Sequence, residues 1–160
     1  MPKHVFAGMK YQKDSLSKFS HQIEFALSYY QPHGLDKNKF SNILLCGLGG
    51  SGIAGRIVKS FSYDSATLPI EIVSDYKLPA YTSGKSLCIM SSYSGTTEET
   101  LTMYNEAKAN GATIISISTG GDLAKKTKED DYRSYTSEPG FQPRMALGYS
   151  LIYLLLIFDE

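Results

Sequence analysis

The run Asn42-Ile43-Leu44-Leu45-Cys46 is strongly apolar and has no polar alternation. A strand with one face in water alternates with a period of two, so this run is expected to be buried on both faces, as in a parallel sheet. Ser86-Leu87-Cys88-Ile89-Met90 is a second apolar run that reads as a buried strand, and residues 113–118 form an isoleucine-rich strand. Residues 69–73 read as a shorter strand, and residues 132–136 alternate as an edge strand. Helical patterns lie between them. Ile53, Ile57, Val58 and Phe61 mark a helix over about 51–61. Leu101, Tyr104, Ala107 and Lys108 mark one that stops at Asn110-Gly111, and residues 122–130 form a short charged helix capped by Asp122. Alternating strands and helices predict an α/β fold: a doubly wound three-layer α/β/α sandwich with a five-stranded parallel sheet. The order taken for it is 2-1-3-4-5, the common order that would put the first and third strands at the switch point.

Two segments flank this unit. Residues 9–31 read as one amphipathic helix with Leu16, Phe19, Ile23, Ala26, Leu27 and Tyr30 on one face, stopped by Pro32-His33-Gly34. Such a helix covers a sheet face or builds an oligomer contact. Residues 144–158 are helical and apolar on nearly every side, which calls for burial all round. The expected organisation is therefore a helical segment over 1–40, a ligand-binding domain over 41–140, and a helix over 141–160 that leads toward a further domain or a second subunit.

The 160 residues suffice for one domain with a core, and 42% apolar with 20% charged residues describe a globular chain. Lys+Arg and Asp+Glu both number 16 and no basic run occurs, so no nucleic-acid partner is expected. The longest apolar run, 151–158, is well short of the ~20 residues that span a bilayer. The first residues lack a signal peptide's apolar core. A cytoplasmic protein with no membrane partner is the expectation. Cys46 and Cys88 sit inside strands as core residues, not as a disulfide or metal pair. His21 and His33 are expected to be solvated and His4 lies near the end. None has a second ligand at metal spacing, so neither metal nor cofactor is expected.

The chemistry gathers at two turns. After the third strand comes Ser91-Ser92-Tyr93-Ser94-Gly95-Thr96-Thr97, leading into Glu98-Glu99-Thr100. The first amides of a helix lack backbone partners, and the helix dipole adds about half a positive charge there. Hydroxyls at 91, 92, 94, 96 and 97 add donors, so the turn suits an anion. Thr96 with Glu99 also fits a capping box, but a cap needs only one hydroxyl. After the first strand comes Gly47-Leu48-Gly49-Gly50-Ser51-Gly52. Its glycines permit unusual dihedrals and close approach of a ligand. Its spacing also satisfies the dinucleotide fingerprint, with Asp75 at the position of a ribose-binding acid, although a plain turn acid explains Asp75 as well. With the predicted strand order, both turns face one crevice at the switch point, where α/β sheets bind ligands.

Three stretches carry a resemblance to a known family: the glycine turn 47–52, the segment Ser92-Tyr93-Ser94-Gly95-Thr96-Thr97-Glu98-Glu99-Thr100-Leu101, and Gln142-Pro143-Arg144-Met145-Ala146-Leu147-Gly148. Over residues 40–158 the chain resembles the sugar isomerase (SIS) domain, and more narrowly the N-terminal half of the bifunctional phosphoglucose/phosphomannose isomerases. Thr96 stands where the family usually has asparagine. The resemblance implies that Ser92, Ser94 and Thr97 hold a sugar phosphate, that Gly49, Gly50 and Ser51 lie along the sugar, and that Arg144 is the catalytic residue facing the reacting carbons. It implies two SIS domains per chain and a homodimer with active sites built between them. It further implies interconversion of glucose 6-phosphate and mannose 6-phosphate with fructose 6-phosphate, a step of glycolysis and gluconeogenesis, through a cis-enediolate.

A guanidinium beside an enediolate stabilises charge that appears only in the transition state. The reaction also needs a base. Glu98 and Glu99 start a helix and read as dipole compensation. The family supplies its base, ring-opening histidine and lysine from regions beyond residue 160. The expectation is a chain that binds sugar phosphate without turning it over alone. A sugar-phosphate sensor acting through the last helix and a dinucleotide-binding Rossmann domain stand as alternatives.

Overall fold

A computed structural model of the chain describes residues 12–160. Strands β1 (Asn42–Cys46), β2 (Ile70–Val73), β3 (Ser86–Ser91), β4 (Thr113–Ser118) and β5 (Arg133–Thr136) form one sheet in the order β2-β1-β3-β4-β5. Every pairing is parallel, with Leu45 opposite Ile72 and Ile89, and Ile117 opposite Ser91 and Tyr135. Helices α1 (Phe19–Tyr29), α2 (Gly49–Phe61), α3 (Glu98–Ala109), α4 (Gly121–Glu129) and α5 (Leu147–Asp159) cover the two faces. Residues 12–17 are also helical, and Pro143–Met145 forms a 3-10 turn before α5. This is the sandwich and strand order that the sequence predicts. His4 and the start of the predicted 9–31 helix lie outside the described residues.

The central strands lack alternation because successive residues feed two different cores. Leu45, Leu87, Ile89, Ile115 and Ile117 pack with Ala26 of α1, Ala54 and Val58 of α2, and Tyr149, Tyr153 and Ile157 of α5. Leu44, Cys46, Cys88, Met90 and Ile114 pack with Met103, Tyr104 and Ala107 of α3 and Leu123 of α4. α2 follows β1 on one face and α3 follows β3 on the other, so the crevice between the ends of β1 and β3 is the switch point.

Several local expectations change. The Thr96–Glu99 capping box does not form: the N-cap of α3 is Thr97, without a side-chain cap bond. A cap contributes about 1 kcal/mol, whereas burying Met103 or Tyr104 contributes about 1.5–3 kcal/mol each. Packing therefore holds α3. Asp122 lies in the first turn of α4 behind the N-cap Gly120 and does not cap it. α2 starts at Gly49, earlier than 51, and the last helix starts at Leu147 because the chain first makes the 3-10 turn at Pro143. In α1 the buried residues are Gln22 and Ala26, while Leu27, and Leu16 in the turn before it, are exposed. At Gln22 the helix lies close against α5: a Cβ on Gly148 would stand 2.8 Å from Gln22 Cβ. One turn on, Phe25 packs edge-on against Tyr149 of α5 at 5.5 Å.

His33 is buried, not solvated. The Leu35 amide donates to its Nδ1 at 3.0 Å, so Nε2 carries the proton and donates to the Ile157 carbonyl at 3.1 Å. His21 is exposed as expected, with Glu138 2.7 Å from its Nε2. The apolar last helix is covered by α1 and α2 of the same chain, with Leu155 left exposed. Stacked rings of Tyr30, Tyr135 and Tyr153, each pair 5.1 Å apart, tie the end of α1 to β5 and α5.

Both thiols are free and buried. Burial pushes the Cys88 thiol up to about 12, and burial with the neighbouring Cys88 pushes Cys46 well above its ordinary value. The thiolate is the reactive form. Neither cysteine should react with a disulfide reagent at pH 8 until denaturant unfolds the chain, and both should then react together. Rapid labelling of one thiol in the native protein would contradict this packing.

Candidate functional site

Three chain segments meet at the carboxyl ends of β1 and β3. The first is the glycine turn. The Gly47 amide donates to the Val73 carbonyl at 3.0 Å and its carbonyl accepts from the Ser74 hydroxyl at 2.7 Å, which ties the end of β1 to that of β2. Gly47 also lies against β3: a Cβ there would stand 2.9 Å from the Ser91 carbonyl oxygen. Gly49 opens α2 with a φ of +51°, and a Cβ on it would meet no atom within 4 Å. Its backbone therefore faces open space. No side chain caps α2.

The second segment is the hydroxyl turn. Ser92 is buried, and its Oγ lies 2.8 Å from Thr97 Oγ1 and accepts from the Gly95 amide at 3.1 Å. Ser94 is exposed, and its Oγ accepts from the Thr96 amide at 3.3 Å and from the Thr96 hydroxyl at 3.1 Å. The turn is fixed from behind by the fourth strand's turn, since the Thr119 amide and hydroxyl both donate to the Tyr93 carbonyl, at 2.9 and 2.8 Å. Gly95 takes a φ of +71° and presses on Gly120, whose carbonyl oxygen would be 1.9 Å from an added Cβ. The Ser51 hydroxyl accepts from the Tyr93 amide at 3.1 Å, so one bond stitches the glycine turn to the hydroxyl turn.

The third segment is the 3-10 turn that carries Arg144. Its backbone is seated on Gly50, where an added Cβ would be 2.8 Å from the Arg144 nitrogen and from the Pro143 carbonyl carbon. Arg144 itself is exposed and makes no hydrogen bond or ion pair with the described residues. Gly49, Gly50, Ser51, Ser92, Ser94, Thr97 and Arg144 thus lie at one end of the sheet. Chemically, the arrangement offers hydroxyls, uncapped helix amides and one unpaired cation. Asp75 lies apart from these contacts as an exposed turn acid whose carboxylate accepts from the Tyr76 amide at 2.6 Å.

No family model matches the chain. The bifunctional phosphoglucose/phosphomannose isomerase of Caldicellulosiruptor bescii is 49% identical to it over 116 residues, covering 72% of this chain and 34% of that relative. That of Aquifex aeolicus is 38% identical over 121 residues, covering 75% and 38%. The chain is a homologue of the bifunctional phosphoglucose/phosphomannose isomerases, with an SIS-type fold. It spans little more than a third of the length of these curated relatives. Among solved structures, the C-terminal domain of glucosamine-fructose-6-phosphate aminotransferase from Francisella tularensis superposes with a TM-score of 0.71 at 18% identity, over 91% of this chain and 46% of that one. The Vibrio vulnificus NanR protein complexed with ManNAc-6P gives 0.69 at 16%, over 98% and 64%. At these identities the likeness is one of fold.

Two residues at this end of the sheet carry no role in the sequence reading. The Tyr93 hydroxyl donates to the Glu138 carbonyl at 2.8 Å and accepts from the Phe141 amide at 3.0 Å. It ties the hydroxyl turn to the loop that precedes Arg144. The signal was a single aromatic between two serines. Glu138 is held by the Tyr149 hydroxyl and by His21 Nε2, each at 2.7 Å. No local pattern foretells it, because its partners lie on α5 and α1.

Two outcomes follow from these contacts. Gly50→Ala places a methyl against backbone that cannot rotate away. It should cost about 1–3 kcal/mol and shift the Arg144 and Met145 amide resonances while the strands stay unperturbed; unmoved resonances would mean that the turn is not seated on Gly50. The Tyr149 hydroxyl, and then His21, hold the Glu138 carboxyl below the usual carboxylate range. Its stabilisation is present above the unfolded value, about 4.3, and is lost as pH falls through the lower folded value. The protection of the amides of residues 137–142, that is their exchange relative to the intrinsic rate at each pH, should therefore fall on acidification, and Glu138→Gln should remove that part of the pH dependence.

Proposed function

We propose that this chain is the phosphosugar-binding SIS domain of an aldose–ketose isomerase that interconverts glucose 6-phosphate and mannose 6-phosphate with fructose 6-phosphate. The observation that carries the reading is the junction at the switch point: the glycine turn bonded to the hydroxyl turn through Ser51 and Tyr93, with the Arg144 backbone resting on Gly50. In this reading Ser92, Ser94 and Thr97, with the first amides of α3, hold the phosphate. Gly49, Gly50 and Ser51 run along the sugar.

The phosphate is remote from the reacting carbons, and its binding energy orients C1 and C2. A proton moves between C2 and C1 through a cis-enediolate. Arg144, without a partner among the described residues, faces the charge that develops there. A base is also required. We assign it to a second SIS domain, in the length of the relatives that this chain does not span, and not to Glu98 or Glu99, which complement the α3 dipole. The active unit in this reading is a cytoplasmic homodimer serving glycolysis and gluconeogenesis.

A sugar-phosphate sensor acting on a partner through the last helix, where Leu155 is exposed, is the second reading. Turnover of fructose 6-phosphate by the chain joined to a second SIS domain separates the two.

The direct test is an amide NMR titration of this chain with fructose 6-phosphate and with NAD in separate samples. Shifts at residues 92–97 and 49–51 with the sugar phosphate alone support the assignment. Shifts centred on residues 47–52 and Asp75 with NAD alone would replace it with a dinucleotide site. Ser94→Ala and Thr97→Ala should each weaken sugar-phosphate binding by about 1–3 kcal/mol, the loss of one charge-assisted hydrogen bond. Unchanged affinity in both would sink the phosphate site.

A further inference from the structure

We propose that Gln22, on the N-terminal helix α1, is a positioning residue for Arg144. This rests on the reading of Arg144 given above. Gln22 has no exposed surface at all. Its Nε2 donates to the Met145 carbonyl at 2.8 Å, and its Oε1 accepts from the Gly148 amide at 3.0 Å. Met145 directly follows Arg144, and Gly148 is the second residue of α5. One side-chain amide therefore grips the chain at two points just behind the guanidinium. Because its donor and its acceptor are both used, the amide cannot flip without losing both bonds.

A helix cap alone would need only the Oε1 bond to Gly148. The Nε2 bond reaches back out of α5 into the 3-10 turn, and it is this bond that touches the residue next to Arg144. The site is built for a glutamine: Gly148 has no Cβ, and one placed there would stand 2.8 Å from both Gln22 Cβ and Gln22 Oε1. On the other side of the turn, Gly50 admits the Arg144 backbone at the same close range. The turn is thus clasped between α2, which starts at the ligand crevice, and α1, which does not reach it. A half-buried carbonyl and a buried amide that lost the glutamine would each lose their partner, and the turn would move to find water.

Two probes separate positioning from general stability. Inorganic phosphate reports on the hydroxyl turn. 5-Phosphoarabinonate carries the same phosphate and a carboxylate in place of the enediolate oxygens, so it also reports on Arg144. Gln22→Met keeps the buried volume and removes both bonds. It should lower affinity for 5-phosphoarabinonate about tenfold, toward the value of Arg144→Ala, with phosphate affinity held within about twofold. A folded Gln22→Met chain that binds both probes as the parent does, or loses both alike, overturns the proposal. If Arg144→Ala leaves 5-phosphoarabinonate binding unchanged, the reading of Arg144 fails and the proposal with it. If Arg144→Ala weakens that binding and Gln22→Met does not, the proposal alone fails. Should Gln22→Met not fold, Gln22→Asn, which keeps the amide but shortens its reach, is read by the same criteria.

Discussion

The carboxyl end of this sheet is held by backbone pressed against backbone. Gly47 lies on the Ser91 carbonyl, Gly50 on the Arg144 amide and Gly95 on the Gly120 carbonyl, each too close for a β-carbon. Side chains cannot give way at such contacts, because the atoms on both sides belong to the main chain. Four loops that are separate in sequence are thereby held against one another. A site assembled from them inherits that rigidity, and the isomerisation proposed above, sensitive to the placement of C1 and C2, would draw on it.

The hydroxyls of the site work inside the protein as well as facing outward. Ser92 and Ser94 shape their own turn, and Ser51 bonds the neighbouring one. A network whose members are already bonded changes little when an anion arrives, so less ordering remains to be done on binding. Leaving α2 and α3 without side-chain caps forgoes about 1 kcal/mol per helix, and it leaves their first amides without a side-chain partner. The stability lost at the caps is small beside that of the two cores packed on the sheet.

The helices before and after the sheet unit are less separate than their positions in the chain suggest. α1 packs on α5, and Tyr30, Tyr135 and Tyr153 stack across α1, β5 and α5. The apolar stripe of the N-terminal helix read from periodicity included Leu16 and Leu27, which are exposed, and passed over Gln22, which is fully buried. Periodicity weighs residues by hydropathy. At Gln22 the α1–α5 contact selects instead for an amide that can satisfy two backbone groups at once. The His33 side chain is buried for a like reason: of its partners, the Ile157 carbonyl and the Glu160 carboxylate reach it only once α5 is in place.

By itself the sequence determined the sandwich, the parallel sheet and the two ligand-suited turns after its first and third strands. Those follow from short-range facts: apolar runs without alternation, glycines and hydroxyls directly after strands, and connections long enough for crossover helices. The order 2-1-3-4-5, which puts the two turns side by side, is a pairing between distant strands that the tertiary structure fixes. Only the tertiary structure decided how the turns meet, that Ser51 bonds Tyr93, that Arg144 rests on Gly50, and that a glutamine more than a hundred residues away grips the same turn. Such contacts depend on distances between elements. Distance is set by how closely glycine lets backbones approach, which no local pattern of hydropathy records.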